Sequence, residues 1–413
     1  MKYVIIGNST AGIGAVEGIR QVDRQGEITI ISDEPHHTYS RPLISYFLQG
    51  KVTQELMKYR DDAFYSEHNC KLLTGTSVTK VDSVKKQVVL EDGKTIAYDK
   101  LLVATGSSAF VPVFEGLDTV KDKHTFMTFD DARKLNESLR EDKRVLIIGA
   151  GLIGLKCAEG ILEKVAQITV LDLAPRILSS ILDEGGAKQI QNHLESQGIR
   201  FMLSSGVKHF EKDAAILESG EKLGFDILVL AVGVRPNTSL LEGIAEIDKG
   251  IVVNEKSKTS AADIYAAGDC TQCLDISSDQ PKVMALLPNA YMQGECAGIN
   301  MAASSANDEK TFDKAIPMNA IGFFGLHVIT AGSYTGEEFL KIEGGRYKRL
   351  FYSDNKLKGY IMIGDVEKAG IYTSLIREQT PLDTIDFELI CEKPGLMAFT
   401  KEDRMLKLGG NAN

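Results

Sequence analysis

A chain of 413 residues, 43% hydrophobic and 25% charged, has the make-up of an ordinary globular protein with roughly two or three domains. Its formal net charge of -10 excludes a nucleic-acid backbone or an acidic membrane surface as the main partner. No apolar run approaches a membrane span, and six cysteines in so long a chain make no disulfide framework, so a reducing cytoplasm is the expected setting.

At the start of the chain, Tyr3-Val4-Ile5-Ile6 is a short apolar run ended by Gly7, which reads as a buried parallel strand. Asn8-Ser9-Thr10 interrupts it, with no basic region before and no cleavage site after, so it is not a signal peptide. The turn Gly7-Asn8-Ser9-Thr10-Ala11-Gly12 then opens a helix running towards Gln21. Such a turn leaves backbone N–H groups at a helix N-terminus, where the dipole favours a diphosphate. Ser9 stands at the second glycine of a G-x-G-x-x-G pattern; serine is small enough for close backbone approach, but the match is weaker for it.

The next strand is Ile28-Thr29-Ile30-Ile31, followed by Asp33 and Glu34. They lie about twenty residues beyond the turn, where a carboxylate accepts hydrogen bonds from an adenosine ribose. The plainer alternative is two exposed acids opening a loop. The loop from Glu34 to Ser45 is too polar for a core, and its His36 and His37 have no partners at zinc-like spacing. They are expected to be solvated loop histidines, and no metal site is expected. Lys86 to Ala97 reads as a hairpin turning at Asp92-Gly93. It feeds a buried strand, Leu101-Leu102-Val103, whose small-residue end Ala104-Thr105-Gly106 lets backbone pass close to a ligand.

The plan then repeats. Arg144-Val145-Leu146-Ile147-Ile148 leads into Gly149-Ala150-Gly151-Leu152-Ile153-Gly154, a complete G-x-G-x-x-G between strand and helix. Ile168-Thr169-Val170-Leu171 is the next strand, and Asp172 closes it at the ribose spacing. Leu217-Glu218-Ser219-Gly220 echoes the hairpin turn, and Phe225 to Gly233 echoes Tyr98 to Gly106. Two units with one order of parts imply two dinucleotide sites. A carboxylate at Asp172 suits a free ribose 2′-hydroxyl and repels a 2′-phosphate, so NADH is expected over NADPH, with Arg176 nearby leaving some NADPH use open. Further on, the strand Ile264-Tyr265-Ala266-Ala267 ends in Gly268-Asp269, a carboxylate suited to a sugar-alcohol hydroxyl. Pro288 begins a helix whose positive end is placed to stabilise negative charge on a reduced ring system.

The order of glycine turn, Ala104-Thr105-Gly106, second glycine turn, Ala231-Val232-Gly233 and Gly268-Asp269 resembles the FAD- and NAD(P)-dependent pyridine nucleotide-disulfide oxidoreductase superfamily. Tyr39-Ser40-Arg41-Pro42-Leu43 and the C-terminal Lys356 to Asp365 are similar to the branch of NADH:rubredoxin reductases and nitrite reductase flavin modules. The resemblance covers nearly the whole chain. It implies an α/β protein with two Rossmann-like three-layer dinucleotide-binding domains, glutathione reductase-like, plus a C-terminal α+β domain. The FAD-binding domain would be discontinuous, 1–111 and 243–311; residues 112–242 would bind NAD(P)H, and 312–413 would shape a dimer or acceptor interface.

By the same resemblance, Gly7, Ser9, Thr10, Ala11 and Gly12 would hold the FAD diphosphate, Glu34 with Asp33 the adenosine ribose, and Asp269 after Gly268 the ribityl chain. Arg41, Pro42, Ala104, Thr105, Gly106 and Pro288 would lie along the cofactor. Gly149, Gly151, Leu152, Ile153, Gly154, Asp172 and Gly233 would bind NADH. Hydride would pass from NADH to the flavin, and electrons onward to a small rubredoxin- or ferredoxin-like acceptor.

Two positions depart from the relatives. Tyr46 occupies the place of a lysine near the flavin, and Lys156 that of a glutamate near the nicotinamide. Lys156 either favours an anionic reduced flavin or is only an exposed helix lysine. No cysteine occurs between Met1 and His68, where disulfide-reducing members keep theirs. Cys270-Thr271-Gln272-Cys273 is a C-x-x-C, open either to a thiol or peroxide reductase or to an incidental pair; the second is preferred. Cys157, Cys296 and Cys391 read as buried small hydrophobes. The reading is thus an NADH-dependent flavoprotein, acting either with a small redox protein or as the flavin-bearing subunit of a larger complex. A homodimer fits equally, with no nucleic acid or membrane partner.

Overall fold

Runs such as Val4-Ile5-Ile6 and Leu101-Leu102-Val103 are apolar on both faces, which suits only strands covered on both sides. In the computed structural model, which describes residues 1–407, they form the middle of a five-stranded parallel sheet. Its order is Ile264–Ala266, Lys100–Val103, Lys2–Ile6, Glu27–Ile31, Cys70–Leu73. Tyr3 pairs with Ile28 on one side and Lys100 on the other. Ile5, Ile30 and Leu102 are fully buried, each contributing about 2 kcal/mol of transfer free energy.

The same parts recur. Ile199–Met202, Gln167–Leu171, Arg144–Ile148, Ile227–Leu230 and Lys123–Thr125 lie side by side in that order in a second parallel sheet. Each half also carries an antiparallel three-stranded sheet: Val78–Asp82, Gln87–Leu90 and Thr95–Ala97 in one, Val207–Glu211, Ala214–Leu217 and Lys222–Gly224 in the other. The turns at Gly93 and Gly220 have φ of 82° and 87°, as the Asp-Gly and Ser-Gly pairs lead one to expect.

The first helix, Thr10–Val22, packs along Leu287–Ala302 through glycines on both sides. A Cβ on Gly14 or Gly18 would come within 2.5 or 2.3 Å of a carbonyl oxygen of the partner helix, and one on Gly294 or Gly298 within 2.1 Å. Backbone therefore lies against backbone, which no larger residue allows.

The chain divides into two compact units. One holds Met1–Ser180, Ala187–Cys273 and Lys282–Phe312, and with them both parallel sheets. The other holds Ile181–Gly186, Leu274–Pro281 and the chain from Asp313 on. Its sheet is antiparallel, in the order Met318–Phe323, Leu326–Gly332, Lys356–Ile363, Arg346–Ser353, Glu337–Glu343, with the helix Ala369–Arg377 against it. Glu337–Glu343 is an edge strand whose Leu340 and Ile342 stay exposed. After Thr400 the chain forms a helix, Lys401–Lys407, and then passes outside the described residues. The result is an α/β fold of two Rossmann-like domains with a C-terminal α+β domain. Among the described residues, no helix is long and apolar enough to cross a membrane.

Candidate flavin and nicotinamide sites

The first strand delivers Gly7 into its turn with φ of 119°, and a Cβ there would lie 2.1 Å from the carbonyl oxygen of Ala104. Only glycine fits, for both reasons. Gly149 repeats this, with φ of 112° and a virtual Cβ 2.2 Å from the carbonyl oxygen of Ala231. The second glycine position differs. A Cβ on Gly151 would meet nothing within 4 Å, so the fold itself leaves room for a side chain there. Ser9 at the matching place in the first turn is therefore compatible with the same backbone.

Around the first turn lies a cavity of about 430 Å³. Its wall is made by Gly7 to Ala11, by Asp33, Glu34 and Arg41, by Ala104 to Ser108, by Gly268 and Asp269, and by Leu287 and Ala290 at the start of the helix carrying Pro288. Two helix N-termini thus reach one space, Thr10–Val22 and Leu287–Ala302, which favours negative charge within it. Asp269 sits deep in the wall and accepts from Ser107 Oγ at 3.1 Å. Burial pushes its carboxyl above the usual range, against the opposing pull of Ser107 and Arg41.

Arg41 is held by two acceptors, Glu34 Oε1 at 2.5 Å and the Met127 carbonyl at 3.0 Å. Pro42, next to it, caps the short helix Leu43–Leu48. Across the cavity, Thr105 Oγ1 donates to the Asn237 carbonyl at 2.6 Å, and Asn237 Nδ2 donates back to the Thr105 carbonyl at 2.9 Å. This reciprocal pair sits beside the antiparallel strands Ser107–Ala109 and Val234–Pro236, where the chain passes between the two sheets. Ser107 and Asn237 were not singled out from the sequence; neither belongs to a periodic or glycine-rich pattern.

The second turn has its own carboxylate. Asp172 Oδ2 accepts from the Ala150 N–H at 2.6 Å and Oδ1 from the Ala174 N–H at 2.7 Å. Each oxygen keeps a second lone pair, so a side chain anchored against the turn can still accept from a ligand. Arg176 turns back to the Ser179 carbonyl at 3.3 Å.

Two dinucleotide turns, matched sheets and matched hairpins are the plan of one family. Residues 1–294 match the profile of pyridine nucleotide-disulphide oxidoreductases. The chain belongs to that family. Residues 317–380 further match the C-terminal domain of rubredoxin NAD+ reductase. The chain is 32% identical over 393 residues to the epsilon subunit of NADH-dependent phenylglyoxylate dehydrogenase of Aromatoleum evansii, covering 92% of each. It is 30% identical to the assimilatory nitrate reductase electron transfer subunit of Bacillus subtilis, over 92% of this chain and 49% of that one. The chain thus spans about half the length of the Bacillus relative. Among solved structures, the covalent putidaredoxin reductase–putidaredoxin complex has the same fold, with a TM-score of 0.85 at 24% identity, covering 100% of this chain and 99% of that one.

This pyridine nucleotide-disulphide oxidoreductase is a flavoprotein enzyme that uses FAD and NAD(P)H. The residues present fit the flavin: a deep carboxylate for hydroxyl donors, two helix N-termini for a diphosphate, and a wall that only glycine permits at Gly7. FAD, when bound, supplies the chemistry of taking electrons in pairs and releasing them singly or in pairs. The chain supplies placement, exclusion of water and charge.

Lys156 and the cysteines fall elsewhere. Lys156 is neither exposed nor in the wall of the cavity; its ammonium pairs with the buried Glu159 and lies 5.1 Å from the Tyr46 ring centre. None of the six cysteines is in a disulfide. Cys270 is fully buried, donates to the Val103 and Ala267 carbonyls, and its thiol is pushed up to about 11, mainly by burial. A reactive thiol needs the opposite shift. Cys273 packs half-buried against the same core. His36 and His37 are half-buried and line the cavity, where the sequence reading has them solvated in a loop. His36 Nε2 meets Asp130 Oδ1 at 3.0 Å beside Phe129, and His37 packs on Tyr65, because their polar loop folds over aromatic rings. Among the described residues, no three His, Cys, Asp or Glu side chains gather as a metal site.

Proposed function

We propose that this enzyme carries electrons from NADH through FAD to a small redox protein of rubredoxin or ferredoxin type. The observation that carries this reading is the match of residues 317–380 to the rubredoxin reductase C-terminal domain, joined to two intact dinucleotide turns. In this reading residues 1–111 and 243–311 bind FAD, 112–242 bind NADH, and 312–413 face the acceptor or a second subunit in a cytoplasmic homodimer. The buried, high-pKa thiol of Cys270 supports a flavin conduit over a thiol route.

Anaerobic titration of the flavin-loaded protein with NADH tests it. The expected result is full bleaching after one equivalent with no long-wavelength thiolate band, followed by reoxidation on adding rubredoxin or ferredoxin. A second equivalent taken up with such a band would transfer the role to Cys270 and Cys273. A second reading, a flavin-bearing subunit of a larger complex, is favoured by the 92% mutual coverage with a dehydrogenase subunit. Gel filtration from the native source separates the two.

A further inference from the structure

Glu34 stands where a ribose-binding carboxylate is expected, but unlike Asp172, whose anchors are neutral backbone N–H groups, it spends its charge on the guanidinium of Arg41 and its other oxygen on a phenol. Oε1 accepts from Arg41 Nη2 at 2.5 Å and Oε2 from Tyr39 Oη at 2.6 Å. Tyr39 Oη in turn accepts from the Phe129 N–H at 2.9 Å, at the start of the helix Phe129–Ser138. Arg41 reaches the same segment through the Met127 carbonyl at 3.0 Å, and its guanidinium lies 5.7 Å from the Tyr39 ring centre. Phe129, buried, is packed by the rings of His36, Tyr39 and Phe47. The loop carrying Arg41 is therefore fastened to residues 127–129 at several points.

What this fastening holds is distinctive. Arg41 is the only arginine or lysine among the described residues lining the cavity, which also presents the carboxylates of Asp33, Glu34 and Asp269. Burial alone would make its charge costly, but Tyr39 and Glu34 offset this and hold its pKa above the usual value. A diphosphate entering beside three carboxylates needs that cation in a fixed direction, and a planar guanidinium must be oriented to be useful.

We propose that Glu34 and Tyr39 are positioning residues for Arg41, and that Glu34 acts on the FAD diphosphate only through that guanidinium instead of serving as the ribose ligand. Asp33, which lines the same corner and forms no ion pair among the described residues, is left to meet the ribose. The proposal rests on the FAD reading and refines it.

The test is a double-mutant cycle on FAD affinity, using the full-length chain stripped of flavin and titrated back, followed by flavin fluorescence. Glu34→Gln is expected to weaken FAD about tenfold and Arg41→Met by about that or more. In the double variant, the Glu34→Gln change should cost no further affinity, since its effect passes through Arg41. Tyr39→Phe, which keeps the ring, should weaken FAD about threefold and likewise lose its effect in the Arg41→Met background. Losses that multiply would show Glu34 touching the cofactor itself and overturn the proposal, as would tighter binding by Glu34→Gln. If Glu34→Gln fails to fold, the Tyr39→Phe cycle decides by the same criterion. A wild-type chain that binds no FAD would sink the cofactor reading itself, an outcome distinct from a multiplicative cycle.

Discussion

The turns Gly7–Gly12 and Gly149–Gly154 have nearly the same backbone, but the helices that follow them are covered differently. After the first turn, Thr10, Ala11 and Gly12 are buried, closed over by the helix Leu287–Ala302. After the second, Gly151, Leu152 and Ile153 remain half-buried, and a Cβ on Gly151 would meet only open space. One strand–turn–helix unit is thus sealed by a second helix and the other left accessible. That difference matches a cofactor that stays and one that must leave after each turnover. The repeat supplies the same glycine turn twice, and what packs on each copy differs.

Gly298→Ala should break the sealed side most severely. Its new methyl would sit 2.1 Å from the Ala15 carbonyl oxygen, so the helices must part, costing about 3 kcal/mol or more. Thermal melting of the flavin-free chain reads this directly, and an unchanged melting temperature would mean the two helices are not locked as described. On the accessible side, Asp172→Ser should raise the NADH dissociation constant about tenfold or more and narrow the preference over NADPH. A preference that stays put would remove Asp172 from the ribose contact.

A smaller effect, visible only through pH, is expected at Asp269. Burial holds its carboxyl above the usual range, so ionisation costs the flavin-free fold stability as pH rises from the ordinary carboxylate range through that raised value. Asp269→Asn removes the cost. The variant should melt above the flavin-free wild type at pH 7 and converge with it in acid, while binding FAD more weakly. Melting curves that stay parallel across pH would contradict this. Smallest of all, Cys273→Ser should leave the rate of NADH-driven flavin reduction unchanged in stopped-flow traces, because Cys273 packs against a core and lies outside the cavity wall.

Much of this was legible in the chain because the signals are local. Gly7 and Gly149 announce turns that need positive φ, Asp-Gly at 92–93 announces a hairpin, and alternation of strand and helix announces a parallel sheet. What was not legible depends on partners far along the chain. Gly14 and Gly18 read as weak helix residues until Gly294 and Gly298 are seen against them. His36 and His37 read as solvated until Phe129 and Tyr65 cover them. Lys156 was open between two roles until Glu159 and Tyr46 were found around it.

By itself, then, the sequence determined two dinucleotide-binding repeats, their order, and the carboxylates closing each one, since these follow from short-range backbone sterics and strand periodicity. Only the tertiary structure decided how those carboxylates are used. Asp269 lies half-buried in the cavity wall and accepts from Ser107, Asp172 is tied to its turn by backbone N–H groups, and Glu34 is bound to Arg41 and Tyr39. A carboxylate's chemistry is set by its burial and by the donors that reach it, and both are properties of packing that spacing along a chain does not encode.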